Sequence, residues 1–318
     1  MASVLAGAAV AWPFAARTQQ AIPVIGFLTS ALPEGRLRAF RDGLKEAGYI
    51  EGQNVKIEYR LANDQNDRLP ELATELVQHG VTVIVAAGTV SAVAAKAATK
   101  SVPVVFAVAA DPVKTGLVRS LRQPGGNMTG VTDLNLDIGP KRLDLIHQLV
   151  PTATVMGVLV NPTSPDLTAA FLHILQPAAD AIGVQLHVLH ASTEAEFDQV
   201  FASLNQMGVR ALIVSPDATF NAHGERLGAL SLRYAVPTIY EHRPFAAAGG
   251  LISYSSDDDE YLRLVGRYAG KVLDGEKPAG LPVMQSTKVD MIINLKTAKA
   301  LGIEVPLPII GRADEVIE

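Results

Sequence analysis

The stretch Pro23-Val24-Ile25-Gly26-Phe27-Leu28-Thr29-Ser30, followed by Leu37, Phe40, Leu44 and Ala47 on one helical face and then by Gly48, decides the fold. A continuous apolar run of this length reads as a strand buried on both faces, the kind found in parallel sheets. The next four residues recur at helical spacing, and Gly48 stops the helix. A buried strand feeding an amphipathic helix is the repeating unit of a covered parallel sheet. The unit repeats downstream. Val55-Lys56-Ile57-Glu58-Tyr59 alternates as a strand near an edge should, and a helix carrying Leu69, Leu72, Ala73, Leu76 and Val77 follows. Then come a strand at 81–86, an Ala-rich helix at 91–99 and a strand at 103–107.

The same plan then restarts. Gly26-Phe27-Leu28 recurs as Gly157-Val158-Leu159, with Phe40 and Gly48 echoed by Phe171 and Gly183. Gly80-Val81 before Val83-Ile84-Val85 recurs as Gly208-Val209 before Leu212-Ile213-Val214, and Val102-Pro103 recurs as Val236-Pro237. Offsets of 131, 128 and 134 residues argue for two similar lobes. An extra strand at 250–254, a helix with Leu262, Val265, Ala269 and Val272, a run at 288–293 and a short helix at 295–301 complete the chain. The expected fold is α/β, with two doubly wound parallel-sheet lobes joined by a three-crossing hinge. Lobe 1 is expected to hold residues 21–128 plus 248–281, and lobe 2 residues 131–245 plus 286–318. The crossings are placed near 128–135, 244–249 and 280–287, where Gly, Pro and polar residues cluster. Such a chain makes a hinged pair of lobes with a cleft between them.

Composition narrows the function. The 318 residues are 48% hydrophobic and 19% charged, and no apolar run is long enough to span a bilayer. Without cysteine there can be no thiolate nucleophile, iron–sulfur cluster or Cys-type zinc site. A net charge of -5 with no Lys/Arg block leaves no footprint for nucleic acid. Residues 1–18 read as the apolar core and small-residue end of an export signal, with cleavage after Ala16 or Thr18. The basic segment that normally precedes such a core is missing, so an earlier start is expected. Removing 1–18 takes away the one tryptophan, Trp12, and leaves 26 basic against 32 acidic residues, a net charge of -6. The expected location is therefore periplasmic or otherwise extracytoplasmic.

No dinucleotide fingerprint, P-loop or nucleophile elbow is present. Gly266-Arg267-Tyr268-Ala269-Gly270-Lys271 is one residue short of a P-loop and lies in a helical pattern. The seven histidines lack metal-ligand spacing, and Asp257-Asp258-Asp259-Glu260 reads as acids gathered at a helix N-terminus. No catalytic residue, metal or cofactor is expected. Asn127-Met128-Thr129 matches a glycosylation sequon but reads better as a turn. What remains is a set of polar and aromatic residues at strand C-terminal ends, where open α/β sheets bind ligands. In the first lobe these are Thr29 and Ser30, Gly88-Thr89-Val90-Ser91 and Asp111-Pro112; in the second, Asn161, Thr163, Ser215, Asp217, Tyr240, Glu241 and Phe245; the added strand supplies Tyr254. Thr89 and Ser91 begin an Ala-rich helix whose free N–H groups suit a carboxylate, and Asp111 suits an ammonium. Each is equally readable as a helix cap or turn former. Together they match a zwitterion with an apolar ring.

Longer matches give a resemblance. Phe40-Arg41-Asp42-Gly43-Leu44 with Gly48-Tyr49 and Gly52-Gln53-Asn54, Ala110-Asp111-Pro112-Val113 with Gly116-Leu117-Val118, and Pro124-Gly125-Gly126-Asn127 with Thr129-Gly130 carry it. So do the signal end, Ala11 to Arg17 with Gln19-Gln20, and the close, Ile293-Asn294-Leu295-Lys296-Thr297-Ala298-Lys299-Ala300-Leu301-Gly302 with Ala313-Asp314-Glu315-Val316-Ile317-Glu318. Across essentially its whole length the chain resembles the substrate-binding proteins of ABC transporters of the tryptophan/tyrosine type, with a type I periplasmic-binding fold. The resemblance implies a monomeric exported receptor, not an enzyme, that closes on a small amino acid or aromatic acid and delivers it to a cognate ABC permease. It points to Thr89 and Ser91 for the carboxylate, Asp111 for the ammonium, and Tyr240 or Phe245 beside the side chain. The Arg-Arg-x-Phe signal common in that family is absent. The alternatives are a cytoplasmic small-molecule sensor, which lacks a helix-turn-helix, and an α/β enzyme without recognisable motifs.

Overall fold

A computed structural model describes residues 22–318 except Leu32, Pro33 and Leu134; the expected export segment with Trp12 lies outside the described residues. From the first strand the chain runs β1 (Val24–Thr29), α1 (Glu34–Glu46), β2 (Lys56–Leu61), α2 (Leu69–Gln78), β3 (Val83–Ala87), α3 (Thr89–Ala98), β4 (Val104–Val108) and β5 (Met128–Thr132). It continues through α4 (Gly139–Leu149), β6 (Val155–Val160), α5 (Pro165–Ala181), β7 (Gln185–His190), α6 (Glu194–Ser203), β8 (Ala211–Val214), α7 (Ala218–Ala222), α8 (Gly224–Arg233), β9 (Thr238–Tyr240), α9 (Arg243–Ala247) and β10 (Ile252–Ser256). It ends with α10 (Asp258–Leu273), β11 (Met284–Gln285), β12 (Val289–Asn294), α11 (Leu295–Ala300), α12 (Leu307–Ile310) and β13 (Glu315–Ile317).

Two sheets form, in the orders β11-β5-β4-β3-β1-β2 and β13-β12-β10-β9-β8-β6-β7. The first is parallel throughout, and the second is parallel except for the β10–β12 pair. In each, the first strand of the lobe sits inside the sheet and the next lies at an edge, the doubly wound arrangement. Alternate residues of β1 serve different cores. Ile25 and Phe27 pack with Phe40, Leu44 and Val265, while Leu28 packs with Leu72, Leu76 and Phe106. Each such fully buried side chain contributes roughly 1.5–3 kcal/mol by leaving water. Lobe 2 repeats the pattern, with Val158 and Phe171 on one face of its sheet and Leu159 and Phe197 on the other.

Close approach explains several of the family-like motifs. A Cβ on Gly43 would lie 1.9 Å from the Arg263 carbonyl oxygen, and one on Gly266 would lie 2.2 Å from that of Phe40. Helices α1 and α10 thus touch backbone to backbone, and only glycine fits at the two positions. The Asn127 side chain donates to the carbonyls of Val102 at 2.7 Å and Thr99 at 3.3 Å, tying the Pro-Gly-Gly-Asn turn to the approach to β4. Asn294 caps α11 by accepting from Thr297 N at 2.9 Å, and Asp314 accepts from Met291 N at 2.8 Å beside β13.

The placing of residues 248–281 needs correction. Strand β10 pairs with β9 and β12 in the second sheet, and it is α10 that returns to lobe 1 to pack on α1. The chain therefore crosses between Ser256 and Asp258, not at 244–249. The Gly/Pro cluster there has a local cause. Gly249 has φ +121°, and a Cβ on Gly250 would lie 2.1 Å from the Phe245 ring. The glycines let the chain turn tightly under that ring within lobe 2. The other two passages between the sheets lie after Thr132, where β5 ends, and between Gln285 and Val289, where β11 gives way to β12. Asp257 accepts from Glu260 N at 3.0 Å as the cap of α10, and from Lys288 Nζ at 2.7 Å, so it joins the second passage to the third.

Candidate functional site

The C-terminal ends of β1, β3, β4 and β5 face those of β6, β8 and β9 across a cleft. Between them lies a partly enclosed cavity lined from both lobes. Lobe 1 presents Thr29, Gly88 and Thr89 to it, with Arg36 from the first turn of α1. Lobe 2 presents Asp217, Asn221 and Glu241, and Asp133 comes from the first passage between the lobes. Phe27, Leu167, Tyr261 and Leu262, with small residues at Ala87, Ala107 and Ala109, give the cavity its apolar wall. Arg36 and Asn221 also line a larger outer groove of about 990 Å³.

One end of the cavity suits an anion. Gly88 precedes α3 with φ +107° and ψ 148°, a conformation glycine adopts without strain, and its N–H donates to Ala107 O at 2.8 Å. No side chain caps the helix, so its first-turn N–H groups and positive dipole end are left for a ligand. Ser91, in that same turn, is buried, and its Oγ finds no hydrogen-bond partner among the described residues.

The opposite wall is acidic. Asp217 caps α7 and is buried, accepting from Asn161 Nδ2 at 2.9 Å, Ser164 Oγ at 2.7 Å and Thr219 N at 2.9 Å. Burial raises its pKa above the usual carboxylate range, while the three hydrogen bonds pull the other way. The polar chain continues into lobe 1. Thr163 Oγ1 donates to Asn161 Oδ1 at 2.8 Å and accepts from Asn66 Nδ2 at 2.8 Å, and Ser30 Oγ donates to Asn66 Oδ1. A second link joins the lobes, from His223 Nε2 to Asp64 Oδ2 at 2.8 Å.

Behind Glu241 lies Arg142, the largest fully buried side chain among the described residues. Its guanidinium donates to Tyr254 O at 2.7 Å, Asn135 O at 2.9 Å, Asn135 Oδ1 at 3.0 Å and Glu241 Oε2 at 3.3 Å. Asn135 in turn accepts from Ser256 N at 2.9 Å and donates from its backbone to Asp133 Oδ1 at 2.8 Å. One buried cation therefore ties two inter-lobe passages to two of the carboxylates that face the cavity. Burial lowers its ionisation from the ordinary guanidinium value, and Glu241 opposes that shift.

Of the residues singled out from sequence, Thr29, Gly88, Thr89, Asp217 and Glu241 line the cavity. Ser30, Asn161 and Thr163 form the polar chain behind Asp217, and Ser91 lies buried beside Gly88. Asp111 does not reach the cavity. It is exposed, and its Oδ1 accepts from Val113 N at 2.8 Å and Lys114 N at 3.2 Å, so its carboxylate is used on the local turn. Tyr240 and Phe245 are core residues, stacked edge to face at 5.7 Å, with the Tyr240 hydroxyl donating to Asn221 Oδ1 at 2.5 Å. Tyr254 packs against the lobe 2 core and contributes only its carbonyl to Arg142. Arg36, inside the first turn of α1, gave no signal, and Asp133 gave none beyond its position just after β5. Glu241 stands next to Tyr240 on the opposite face, which strand alternation alone distinguishes.

A tyrosine-binding protein of Clostridioides difficile strain R20291 is 30% identical over 268 residues, 84% of this chain and 76% of that protein. A Streptococcus pneumonia ABC domain solved in complex with L-Trp superposes with a TM-score of 0.83 at 26% identity, covering 93% of this chain and 99% of that one. The ligand-free, open structure of an adhesive substrate-binding protein from Clostridium difficile has the same identity and coverage but a TM-score of 0.62. Over the whole chain the superposition is therefore closer to the L-Trp complex than to the open form. The model of the ABC transporter substrate binding proteins matches residues 23–317. This chain belongs to that family, whose members bind substrates without transforming them.

Proposed function

We propose that the chain is the extracytoplasmic receptor of an ABC importer, closing on an aromatic amino acid and handing it to a membrane permease. The observation that carries the reading is the pairing, across one cavity, of the uncapped N-terminus of α3 with the buried carboxylate of Asp217, beside an apolar wall. The helix end with Thr89 and Ser91 receives the ligand carboxylate. Asp217 receives the ammonium, and its pairing offsets the desolvation that burial imposes on it. Phe27, Leu167, Tyr261 and Leu262 flank the side chain. The ligands of the similar proteins, tyrosine and L-Trp, are zwitterions of this shape. Among the described residues no helix is long and apolar enough to cross a membrane.

The mature chain, cleaved after residue 16 or 18, contains no tryptophan. Protein purified from an exporting host is expected in the periplasmic fraction, and on denaturation it should release an aromatic amino acid identifiable by mass spectrometry. Indole emission from the native protein would mark tryptophan as that ligand. Retention in the cytoplasm, or a released molecule without both amino and carboxylate groups, would refute the proposal.

A further inference from the structure

Both inter-lobe links that reach toward Asp217 and the outer groove start from one short turn, residues 62–68 between β2 and α2. Asn63 and Asp64 both have left-handed backbone, φ 51° and 64°, a conformation that Asn and Asp tolerate better than other non-glycine residues. The kink turns Asp64 toward His223 and sets Asn66 at the start of a short 3-10 turn, buried against lobe 2. Asn66 Nδ2 lies 2.8 Å from Thr163 Oγ1 and 3.4 Å from Ser164 Oγ. Those two hydroxyls belong to the hydrogen-bond shell of Asp217, directly for Ser164 and through Asn161 for Thr163.

We propose that the 62–68 turn is the clasp that holds the lobes shut. In it Asn66 acts as a positioning residue that senses how Asp217 is engaged, and the Asp64–His223 pair makes closure depend on pH. The proposal rests on the cleft being the ligand site. A ligand cation on Asp217 holds its two oxygens in place, and therefore also Asn161 and Ser164, which present Thr163 and Ser164 to Asn66. Separation of the lobes breaks every bond in that chain that runs between them.

His223 is half-buried. It faces Asp64 from the β2–α2 turn, Glu194 and the Phe197 ring at 5.7 Å from α6, and Glu225 and Arg226 on its own helix. Arg36 and Arg38 of α1 and His242 before α9 line the same groove. Its pKa is raised, first by the hydrogen bond to Asp64, against burial, with further help from the charges of Asp64 and Glu194. Asp64 Oδ1 is buried and finds no partner among the described residues, so the protonated ring is its carboxylate's main neutralising contact. A raised histidine pKa gives the closed state stability that is complete below the ordinary histidine value. That stability is lost as pH rises through the raised value.

The chain has no cysteine, so Lys100→Cys and Gln206→Cys, exposed in lobes 1 and 2, place one fluorophore on each lobe of the full chain. The inter-probe distance is read without ligand from about pH 5.5 to about pH 8.5, which brackets histidine titration. It is expected to lengthen as pH rises, and His223→Gln to remove that response. With L-tyrosine and L-tryptophan as probes, Asn66→Ala is expected to raise Kd about tenfold through faster dissociation, with association unchanged. At about pH 5.5 the ligand-free Asn66→Ala variant should show a longer inter-probe distance than the parent, which an asparagine acting only within lobe 1 would not produce. A pH response that survives in His223→Gln, no response in the parent, or release from Asn66→Ala at the parental rate would overturn the clasp. If neither amino acid binds while the pH response behaves as described, the ligand assignment fails and the clasp stands.

Discussion

Replacing Asp217 by Asn removes one negative charge from the cavity and almost nothing else. Oδ1 still accepts from Asn161 and from Thr219 N, and the Ser164 hydroxyl turns to accept from the new amide. The fold should therefore lose less than about 1 kcal/mol, in line with a retained hydrogen-bond set. Ligand binding should suffer far more. Removing one partner of a buried, hydrogen-bonded charge pair costs roughly 2–5 kcal/mol. A loss near 3 kcal/mol corresponds to about a 100-fold rise in Kd. Calorimetric titration at neutral pH with L-tyrosine, and with the same molecule lacking its amino group, isolates the effect. The variant should lose about 100-fold for the amino acid and little for the deaminated acid. Equal losses for both ligands, or a loss under about threefold for the amino acid, would refute the assignment of the ammonium to Asp217. Stability gives a second check. The folded, ligand-free chain raises the Asp217 pKa, so this residue costs stability progressively as pH climbs from the ordinary aspartate range through the raised value. The Asn variant lacks that loss, and without ligand it should be at least as stable as the parent at neutral pH, the advantage vanishing in acid.

Further substitutions probe the scaffold. Asp111→Ala should leave ligand affinity within about twofold and cost about 1 kcal/mol in urea unfolding, because its carboxylate holds only the 111–114 turn. Gly43→Ala should lower stability by about 3 kcal/mol or prevent folding, since the added methyl would meet the Arg263 carbonyl at 1.9 Å; an unchanged unfolding midpoint would contradict the α1–α10 contact. Arg142→Ala should cost about 3–5 kcal/mol by stripping the buried carbonyls of Asn135 and Tyr254 of their donor.

The sheets were legible because their signal is periodic and local. Gly26 and Gly157 begin equivalent stretches, and both are small for a packing reason: a Cβ would lie 2.8 Å from Leu76 in one lobe and 2.8 Å from Leu189 in the other. The site was legible only by strand end. Asp217 and Asp111 both follow apolar strands, and both carboxylates accept local N–H bonds. What separates them is that Asp217 is also held by Asn161 and Ser164 and faces the other lobe. That difference is tertiary and leaves no mark in spacing. Tyr240 and Glu241 differ by a single residue of register, which sends one side chain to the core and the other to the cavity. The lobe assignment of β10 went astray because glycines needed for packing on Phe245 look, in sequence, the same as glycines at a hinge. Arg142 had no sequence signal at all, lying in an ordinary helical stretch whose partners sit 99 and 112 residues away at Glu241 and Tyr254.

The central claim is that the cavity takes one zwitterionic aromatic amino acid. Calorimetric titration of the purified mature chain with L-tyrosine and L-tryptophan tests it most directly. The account predicts one-to-one binding of at least one of them, with a Kd of about 1 μM or tighter, equivalent to roughly -8 kcal/mol. No binding of either, in protein first unfolded and refolded to free the site, would contradict it.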